Sequence, residues 1–359
     1  MGNLKTSSSN RMIYILYFIL SFIGVVSLFG FFLSAPGYKG PSSNHFDGKR
    51  FINPNGLKAQ NLIGVMKYGL SRKPEKWTKN YETDVRTTAI QIPALDDVQV
   101  SFVNHSTFLI QVAGLNILTD PIWSKRCSPF QWVGPERMRP PGIPMEMLPP
   151  IDLVILSHNH YDHLDVNTLK LLEEKYSPKF IVPLGVGSYL DKLDIQNKVE
   201  IDWLQNMSVG QLDIKGIPAN HFTSRGLFDR DKTLWCGYLF NFEGYKIYFA
   251  GDSGYGPNFK TLGEQEQSID LALIPIGAYK PEWFMSPIHI SPDQAVQVHQ
   301  DINAKQSIAM HFGTFPLADD GMYTPQKDLK QSLDQRGISQ EDFIIPDEGK
   351  SYVFKMHGK

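Results

Sequence analysis

Three histidines and one aspartate lie within six consecutive positions of this chain, in the sequence HNHYDH at residues 158–163. They directly follow the apolar run 153–157, which has the composition of a buried strand. Because side chains two positions apart in an extended chain share a face, the first two histidines can bind one metal ion while the Asp-His pair points elsewhere. Imidazole and carboxylate are ligands that suit zinc and its first-row neighbours. The motif therefore predicts one loop that supplies ligands to two adjacent metal ions.

Two metal ions need more ligands than this loop holds, and the candidates further along the chain are His221, Asp252 and His311. Each lies next to a β-type run or a Gly-rich turn. Asp252 follows Gly251, which lets the backbone approach closely, and the two oxygens of its carboxylate could bridge two cations. A turn-forming role is the alternative for Asp252, and a structural role is the alternative for the two histidines.

Composition excludes several classes of function. The 359 residues carry a formal net charge of -2 and the pI is near 6.6, so the chain lacks the basic field that nucleic acid requires, and we expect no nucleic-acid partner. The two cysteines, Cys127 and Cys236, allow one disulfide at most and leave the cellular compartment undecided. The sequence has no Gly-x-Ser-x-Gly motif, so a serine hydrolase has no support.

A stretch without a charged side chain, Met12–Leu33, lies near the N-terminus. As a helix it would be about 33 Å long, enough to cross a bilayer, and it is longer than the apolar core of a signal peptide, about 7–15 residues. We therefore expect residues 1–34 to be an uncleaved single-pass membrane anchor, with a cleaved signal as the alternative. Basic residues on its two sides nearly balance, and we expect the larger part of the chain to lie outside the cytoplasm.

Beyond the anchor the sequence divides into two parts. Residues 35–90 begin with a stretch rich in Gly, Pro, Ser and Asn and are predicted to form a linker and an N-terminal extension. Residues 91–359 mix short β-type runs with helical segments, which predicts a layered α/β domain. The predicted strands are 98–103, 107–112, 115–119, 153–157 and 246–249, and the predicted helices are 166–176 and 292–302. His299, on the second of these helices, is expected at the surface.

The α/β domain contains a faint internal repeat. Residues 104–107 are echoed by 220–223, residues 114–120 by 244–252, and residues 151–155 by 269–274, in the same order in both halves. This order predicts two related β-rich halves that pack face to face, with helices outside.

Seven motifs are spread over this domain. They are LTDPI at 118–122, PPID at 149–152, LSHNHYDHLD at 156–165, FAGDSGY at 249–255, IPIGAY at 274–279, WFM at 283–285 and HFGTF at 311–315. Together they resemble the metallo-β-lactamase superfamily and, within it, the N-acylphosphatidylethanolamine-hydrolysing phospholipase D family. The resemblance implies an αββα sandwich for the hydrolase domain 91–359, with its metal ions at one edge between the two halves.

The resemblance also implies two zinc ions per chain. One would be held by His158, His160 and His221, and the second by Asp162, His163 and His311. Asp252 would bridge the two ions.

Further roles follow from the same resemblance. His289 would bind or protonate the substrate phosphate. Asp162 and His289 are the predicted catalytic residues. Tyr161 would contact the substrate headgroup. A structural role in its loop is the alternative for His289. His105 and Asp120 are expected to orient metal ligands. The family also implies a homodimer.

The predicted metal site alone favours hydrolysis of an ester, a phosphodiester or a lactone. The resemblance implies a phospholipid substrate at a membrane, N-acylphosphatidylethanolamine, cleaved to an N-acylethanolamine and phosphatidic acid. The sequence departs from the family at Pro287 and Ile288 and in the loop 224–232, which would affect substrate choice. Two alternatives stay open: a metal-dependent lactonase of the sugar-phosphate type on the same fold, and a membrane-tethered metal-binding protein without catalysis.

Overall fold

Two mixed β-sheets of seven strands each form the centre of the protein. The structure, a computed structural model, describes residues 5–79 and 97–356, so the predicted domain start at residue 91 lies outside the described residues. The first sheet consists of β1 (Asp97–Asn104), β2 (Thr107–Val112), β3 (Leu115–Thr119), β4 (Leu153–Ile155), β5 (Lys179–Pro183), β6 (Lys198–Ile201) and the C-terminal strand β14 (Ser351–Lys355). The second consists of β7 (Asn206–Val209), β8 (Leu212–Pro218), β9 (Cys236–Phe242), β10 (Tyr245–Phe249), β11 (Ile269–Pro275), β12 (Ala304–Met310) and β13 (Phe343–Ile344).

The two sheets have the same pairing scheme. The order is β14-β1-β2-β3-β4-β5-β6 in the first sheet and β7-β8-β9-β10-β11-β12-β13 in the second. In each sheet the first three pairings are antiparallel and the last three are parallel. The internal repeat therefore corresponds to two structurally equivalent halves, as the sequence predicted.

Alternating side chains along the strands explain how the layers pack. Leu153 and Ile155 of β4 belong to the buried cluster that both sheets share, whereas Val154 and Leu156 face a second cluster that includes Leu169 of a covering helix. Successive side chains of a strand point to opposite faces, so a strand buried on both sides is apolar throughout. The result is the predicted αββα sandwich.

The helices lie outside the sheets or before them. They are α1 (Lys5–Leu33), α2 (Leu62–Ser71), α3 (Val166–Tyr176), α4 (Gly187–Asp191), α5 (Pro257–Glu266), α6 (Glu282–Met285), α7 (Pro292–Asp301) and α8 (Thr324–Arg336), with a 3-10 turn at Met145–Met147. The predicted helix 166–176 is confirmed as α3. The helix predicted at 292–302 is α7, and Ser291 is its N-cap, with the Ser291 side chain accepting from Gln294 N and the Gln294 side chain returning to the Ser291 backbone.

His299 corrects one expectation. It is buried, 7% exposed, and its Nδ1 lies 2.8 Å from Ser307 Oγ on the neighbouring strand β12. The prediction of a surface residue is therefore wrong, because α7 turns this side towards the sheet.

The segment after α1, predicted as a linker, packs against the sandwich. Phe46 and Phe51 pair across a short β-bridge, are each 2% exposed, and join Trp235 in a small apolar cluster. Asn53 accepts hydrogen bonds from His221 N and Trp235 Nε1, each at 2.9 Å, and donates to His221 O at 2.9 Å. The first part of the region 35–90 is therefore a supporting layer of the domain rather than a free linker.

Helix α1 is long and apolar enough to cross a membrane. The candidate span is Arg11–Leu33, 23 residues with a mean hydropathy of 2.4, of which only 6% is buried against the rest of the protein. Length and composition alone support the span, so the membrane anchor and the orientation of the domain remain predictions.

Candidate metal centre

The loops that carry the predicted ligands converge at one edge of the sandwich. The motif at 158–163 follows β4, Asp252 follows β10 and His311 follows β12, while His221 lies between β8 and β9. The carboxyl ends of parallel strands meet at the same edge of a sheet, which brings the loops after β10 and β12 together. Strand pairing within each sheet and the packing of the two sheets therefore gather residues separated by more than 150 positions.

A first cluster consists of three histidines. His158 Nε2 lies 2.8 Å from His160 Nδ1, and His221 Nε2 lies 3.2 Å from the same His160 atom. Asp252 Oδ2 lies 4.0 Å from the His158 nitrogen and 3.8 Å from the His221 nitrogen. One carboxylate oxygen thus completes a four-atom set.

A second cluster lies next to the first. Asp162 Oδ2 is 3.3 Å from His163 Nε2 and 3.4 Å from His311 Nε2. Asp252 Oδ2 is 3.2 Å from each of these two nitrogens. The same Asp252 oxygen therefore belongs to both clusters, which is the arrangement of a carboxylate between two cations.

The spacing and the missing partners fit divalent metal ions. Metal–ligand distances of about 2.0–2.1 Å place the ligands of a tetrahedral ion about 3.3 Å apart, close to the separations in the second cluster. Asp252 Oδ1 is buried and has no hydrogen-bond partner within the described part of the chain, and the Nε2 atoms of His163 and His311 face the carboxylates of Asp162 and Asp252. Buried polar atoms are nearly always paired, so this set of nitrogen and oxygen donors fits a divalent cation.

Outer contacts favour one ring nitrogen of three of the histidines as the possible metal ligand. His163 Nδ1 lies 2.7 Å from Asp120 Oδ2, and Asp120 Oδ1 accepts from Ser157 N at 2.7 Å. His158 Nδ1 lies 2.9 Å from Ser157 Oγ, and the Nδ1 of His221 lies 2.9 Å from Ile288 O. When Nδ1 carries the proton, Nε2 keeps its lone pair for a metal. The geometry agrees with the orienting role expected for Asp120.

His105 contacts a ligand directly. Its Nε2 lies 3.0 Å from Asp162 Oδ2, in the β1–β2 turn that corresponds to the His221 turn of the other half. His105 and His311 both have backbone φ values in the left-handed region, +49° and +59°, which bulky residues rarely adopt. Such strain is typical of residues held in place for function.

Burial and charge act differently on the two clusters. Burial lowers the pKa of the first-cluster histidines, to about 3 for His160 and His221 and well below its usual value for His158. In the second cluster burial also opposes protonation, but the carboxylates of Asp252 and Asp162 outweigh it. They raise the pKa of His311 to about 9 and that of His163 well above its usual value. Without metal the second cluster therefore holds protons that a cation would displace.

Of the two predicted substrate-contacting residues, His289 lies at the centre and Tyr161 packs against Arg225. His289 Nδ1 is 3.9 Å from Asp252 Oδ2, has no hydrogen-bond partner among the described residues, and burial lowers the pKa of its imidazole to about 3. The Tyr161 hydroxyl donates to Arg225 O at 2.8 Å. To contact the substrate headgroup as expected, Tyr161 would therefore use its ring or give up this hydrogen bond.

A cavity of about 800 Å³ opens beside the centre, between the segment after α1 and the loop after β8. Its wall includes the predicted ligand His221 together with Phe222, Ile52 and Leu227. The cations Arg50 and Arg230 and the acids Asp47 and Asp231 also lie along it, and Arg230 Nε is 3.5 Å from Asp231 Oδ2. Apolar side chains and charges of both signs thus line the space next to one metal cluster.

Sequence reasoning missed two residues that support this site. Asn53 holds the backbone of His221, and Arg225 contacts the loop that carries the HNHYDH motif. Neither belongs to a local pattern, because each acts across more than 60 positions of the chain. The cluster of charged residues at 224–232 was the one available signal for Arg225.

The class of protein follows from the fold and the clusters. The family model described as "Beta-lactamase superfamily domain" matches residues 115–312. The solved structure of Igni18, a metallo hydrolase from Ignicoccus hospitalis, superposes with a TM-score of 0.56 at 21% identity, covering 72% of this chain and 99% of its own. The chain belongs to the metallo-β-lactamase superfamily.

Two relatives are similar over most of this chain, and one of them carries a functional name. N-acyl-phosphatidylethanolamine-hydrolyzing phospholipase D 1 of Caenorhabditis elegans is 37% identical over 263 residues, 70% of this chain and 74% of the worm protein. An uncharacterized protein of Mycobacterium tuberculosis is 42% identical over 224 residues, 61% of this chain and 59% of its own length. Within the superfamily the chain belongs to the N-acylphosphatidylethanolamine-hydrolysing phospholipase D family.

The metal-free protein should be most stable near pH 6.5, the usual pKa of histidine in an unfolded chain. Below that pH the histidines with lowered pKa values, such as His160 and His221, take up protons on unfolding, so stability falls as the pH decreases. Above it, the raised pKa of His311 means that its stabilisation is lost as the pH rises towards about 9. Calorimetry of chelator-treated protein would measure this maximum. A metal-free Tm that rises steadily from pH 6.5 to 9 would contradict it, and metal-loaded protein should not show the alkaline loss.

Proposed function

We propose that this protein is a zinc-dependent phosphodiesterase of the phospholipase D type, which hydrolyses N-acylphosphatidylethanolamine-like lipids to an N-acylethanolamine and phosphatidic acid. The observation that carries the proposal is the Asp252 oxygen common to two clusters of ligand atoms. The name and 37% identity of the worm relative support the lipid class. Zinc is the proposed metal because imidazole nitrogens dominate both clusters.

In this proposal the chain holds two ions with the predicted ligands. His158, His160 and His221 would hold one ion, and Asp162, His163 and His311, with His105 beside them, would hold the other. Asp252 Oδ2, which lies 3.2–4.0 Å from the Nε2 atoms of four of these histidines, would serve both. When bound, such ions lower the pKa of water and offset charge on a phosphoryl oxygen. The protein orients the ligands through Asp120 and Ser157 and keeps bulk water away by burying them.

His289 has the position for a direct role with the phosphate. Its Nδ1 lies 3.9 Å from the Oδ2 of Asp252, is buried, and has no hydrogen-bond partner among the described residues, while the side chain as a whole is 12% exposed. A phosphate held at the centre would therefore lie beside this ring. The lowered pKa of His289 favours a neutral ring that binds the phosphate through an N–H donor. Protonation of the leaving ethanolamine oxygen would use the same position once the charge of the bound phosphate raises that pKa. Asp162 would hold an ion, and the contact between its Oδ2 and His105 Nε2, at 3.0 Å, would keep the carboxylate in place.

The surroundings of the centre suit a lipid. The apolar walls of the cavity beside His221 suit acyl chains, and Arg50 and Arg230, which share the wall with Asp47 and Asp231, offer cations to a phosphate-bearing headgroup. The candidate membrane span ends close to its Leu227 wall, since Leu227 N lies 3.4 Å from Gly30 O. We propose that α1 anchors the catalytic domain at a bilayer, outside the cytoplasm. The homodimer implied by the family stays a prediction.

Purified full-length protein in mixed micelles with N-acylphosphatidylethanolamine should release an N-acylethanolamine and phosphatidic acid, both measured by lipid mass spectrometry. Activity should depend on the metal, and the variant Asp252→Ala should lose it because both clusters share this carboxylate. Metal-loaded protein that leaves the phosphodiester intact but opens a sugar-phosphate lactone would instead support the lactonase. Loaded protein inactive on both would support the metal-binding protein without catalysis.

The variant His289→Ala should keep its metal content and lose turnover about 10²–10⁴-fold if His289 acts as a positioned acid. The loss should then be large for the lipid, whose ethanolamine leaving group needs a proton, and small for an aryl phosphodiester with a good leaving group. Equal losses on both substrates would indicate phosphate binding instead. No loss on either would remove His289 from the reaction and leave it a structural role.

A further inference from the structure

The C-terminal end of α1 contacts the loop that follows His221. Ser34 Oγ donates to Gly30 O at 2.7 Å and accepts from Phe228 N at 3.1 Å. A Cβ at Gly226 would overlap the Gly30 carbonyl oxygen and lie 2.6 Å from Ser34 N. Backbone lies against backbone here, so the helix end and the loop fit together only when residue 226 has no side chain.

The buried carboxylate of Asp229 joins this helix end to the loop. Asp229 is 1% exposed. Its Oδ2 accepts from Ala35 N at 2.8 Å and from Arg225 N at 2.9 Å, and its Oδ1 accepts from Gly226 N at 2.8 Å. Hydrogen bonds to an ionised acceptor are among the strongest in proteins, so one side chain fixes the chain after the anchor and the backbone of Arg225 together.

Arg225 in turn holds the loop that carries the metal ligands. Its Nη1 donates to Asn159 O at 2.8 Å and to Leu164 O at 3.0 Å, the carbonyls on either side of residues 160–163. The guanidinium lies over the Tyr161 ring, 4.0 Å from its centroid, and the Tyr161 hydroxyl returns to Arg225 O. Arg225 is 6% exposed. Its buried guanidinium therefore hydrogen-bonds to the backbone at both ends of this loop.

We propose that Arg225 is a positioning residue of the metal centre, and that the seating of α1 on Gly226 and Asp229 keeps Arg225 in place. The anchor then has a second role besides attachment, because the fit of its C-terminal end sets the metal affinity of the ligand loop. This inference rests on the metal centre of the proposed function, but not on its lipid substrate.

The first test removes the guanidinium from the full-length protein in detergent. Zinc dissociation constants measured by chelator competition should increase about tenfold to hundredfold in Arg225→Met, the usual effect of losing a group that orients ligands. Arg225→Lys should recover part of the affinity, since an ammonium can still donate to one of the two carbonyls. A merely structural Arg225 would change the Tm of the metal-free protein and leave these dissociation constants unchanged, which would overturn the proposal.

The second test pushes the end of α1 away from the loop and leaves the side chain of Arg225 unchanged. Gly226→Ala should weaken zinc binding in the same direction as Arg225→Met, because the added methyl overlaps the Gly30 carbonyl and displaces α1. Gly24→Ala is the matched control, since a Cβ at Gly24 meets no atom within 4 Å, and it should bind zinc as the unmodified protein does.

Two results of this comparison would overturn the role of the anchor. One is a Gly226→Ala protein with unchanged zinc dissociation constants, and the other is an equal loss in Gly24→Ala. Because zinc binding is measured without any lipid, failure of this inference is distinct from failure to hydrolyse N-acylphosphatidylethanolamine.

Discussion

The structure depends on one buried carboxylate surrounded by imidazoles from both halves of the sandwich. Asp252 is 4% exposed, and its Oδ2 lies between 3.2 and 4.0 Å from the Nε2 atoms of four histidines: His158, His163, His221 and His311. A buried charge is costly unless opposite charge and hydrogen bonds compensate it. Cations held by both clusters would provide that compensation, and the two equivalent sheets provide the frame that brings the ligands together.

Local patterns predicted most of the framework. The structure confirms the predicted bounds of the strands 107–112 and 115–119 and of the helix 166–176. Their apolar periodicity depends only on residues that are close in the sequence. The internal repeat also predicted the two equivalent halves. The strand predicted at 153–157 ends at Ile155, because Ser157 turns to support His158 and Asp120. His299 was misplaced because tertiary packing, not helix periodicity, decides what α7 covers.

The metal clusters were predictable because ligand types are chemically distinctive, whereas their supports are ordinary residues. His158, His221 and Asp252 could be proposed from motif and resemblance, and their separations are now compatible with common cations. Asn53, Asp229 and Arg225 act on the backbone across long stretches of chain. A segment rich in Gly, Pro and Ser resembles a linker until the surface on which it packs is known, and no short window of sequence contains that surface.

Diffraction from zinc-loaded crystals, collected on both sides of the zinc absorption edge, would test the dinuclear centre most directly. We expect two anomalous peaks about 3.5–4 Å apart, the usual separation in two-metal sites, with Asp252 between them. One peak should contact His158, His160 and His221, and the other Asp162, His163 and His311. A single peak, or peaks that do not share Asp252, would rule out this dinuclear centre.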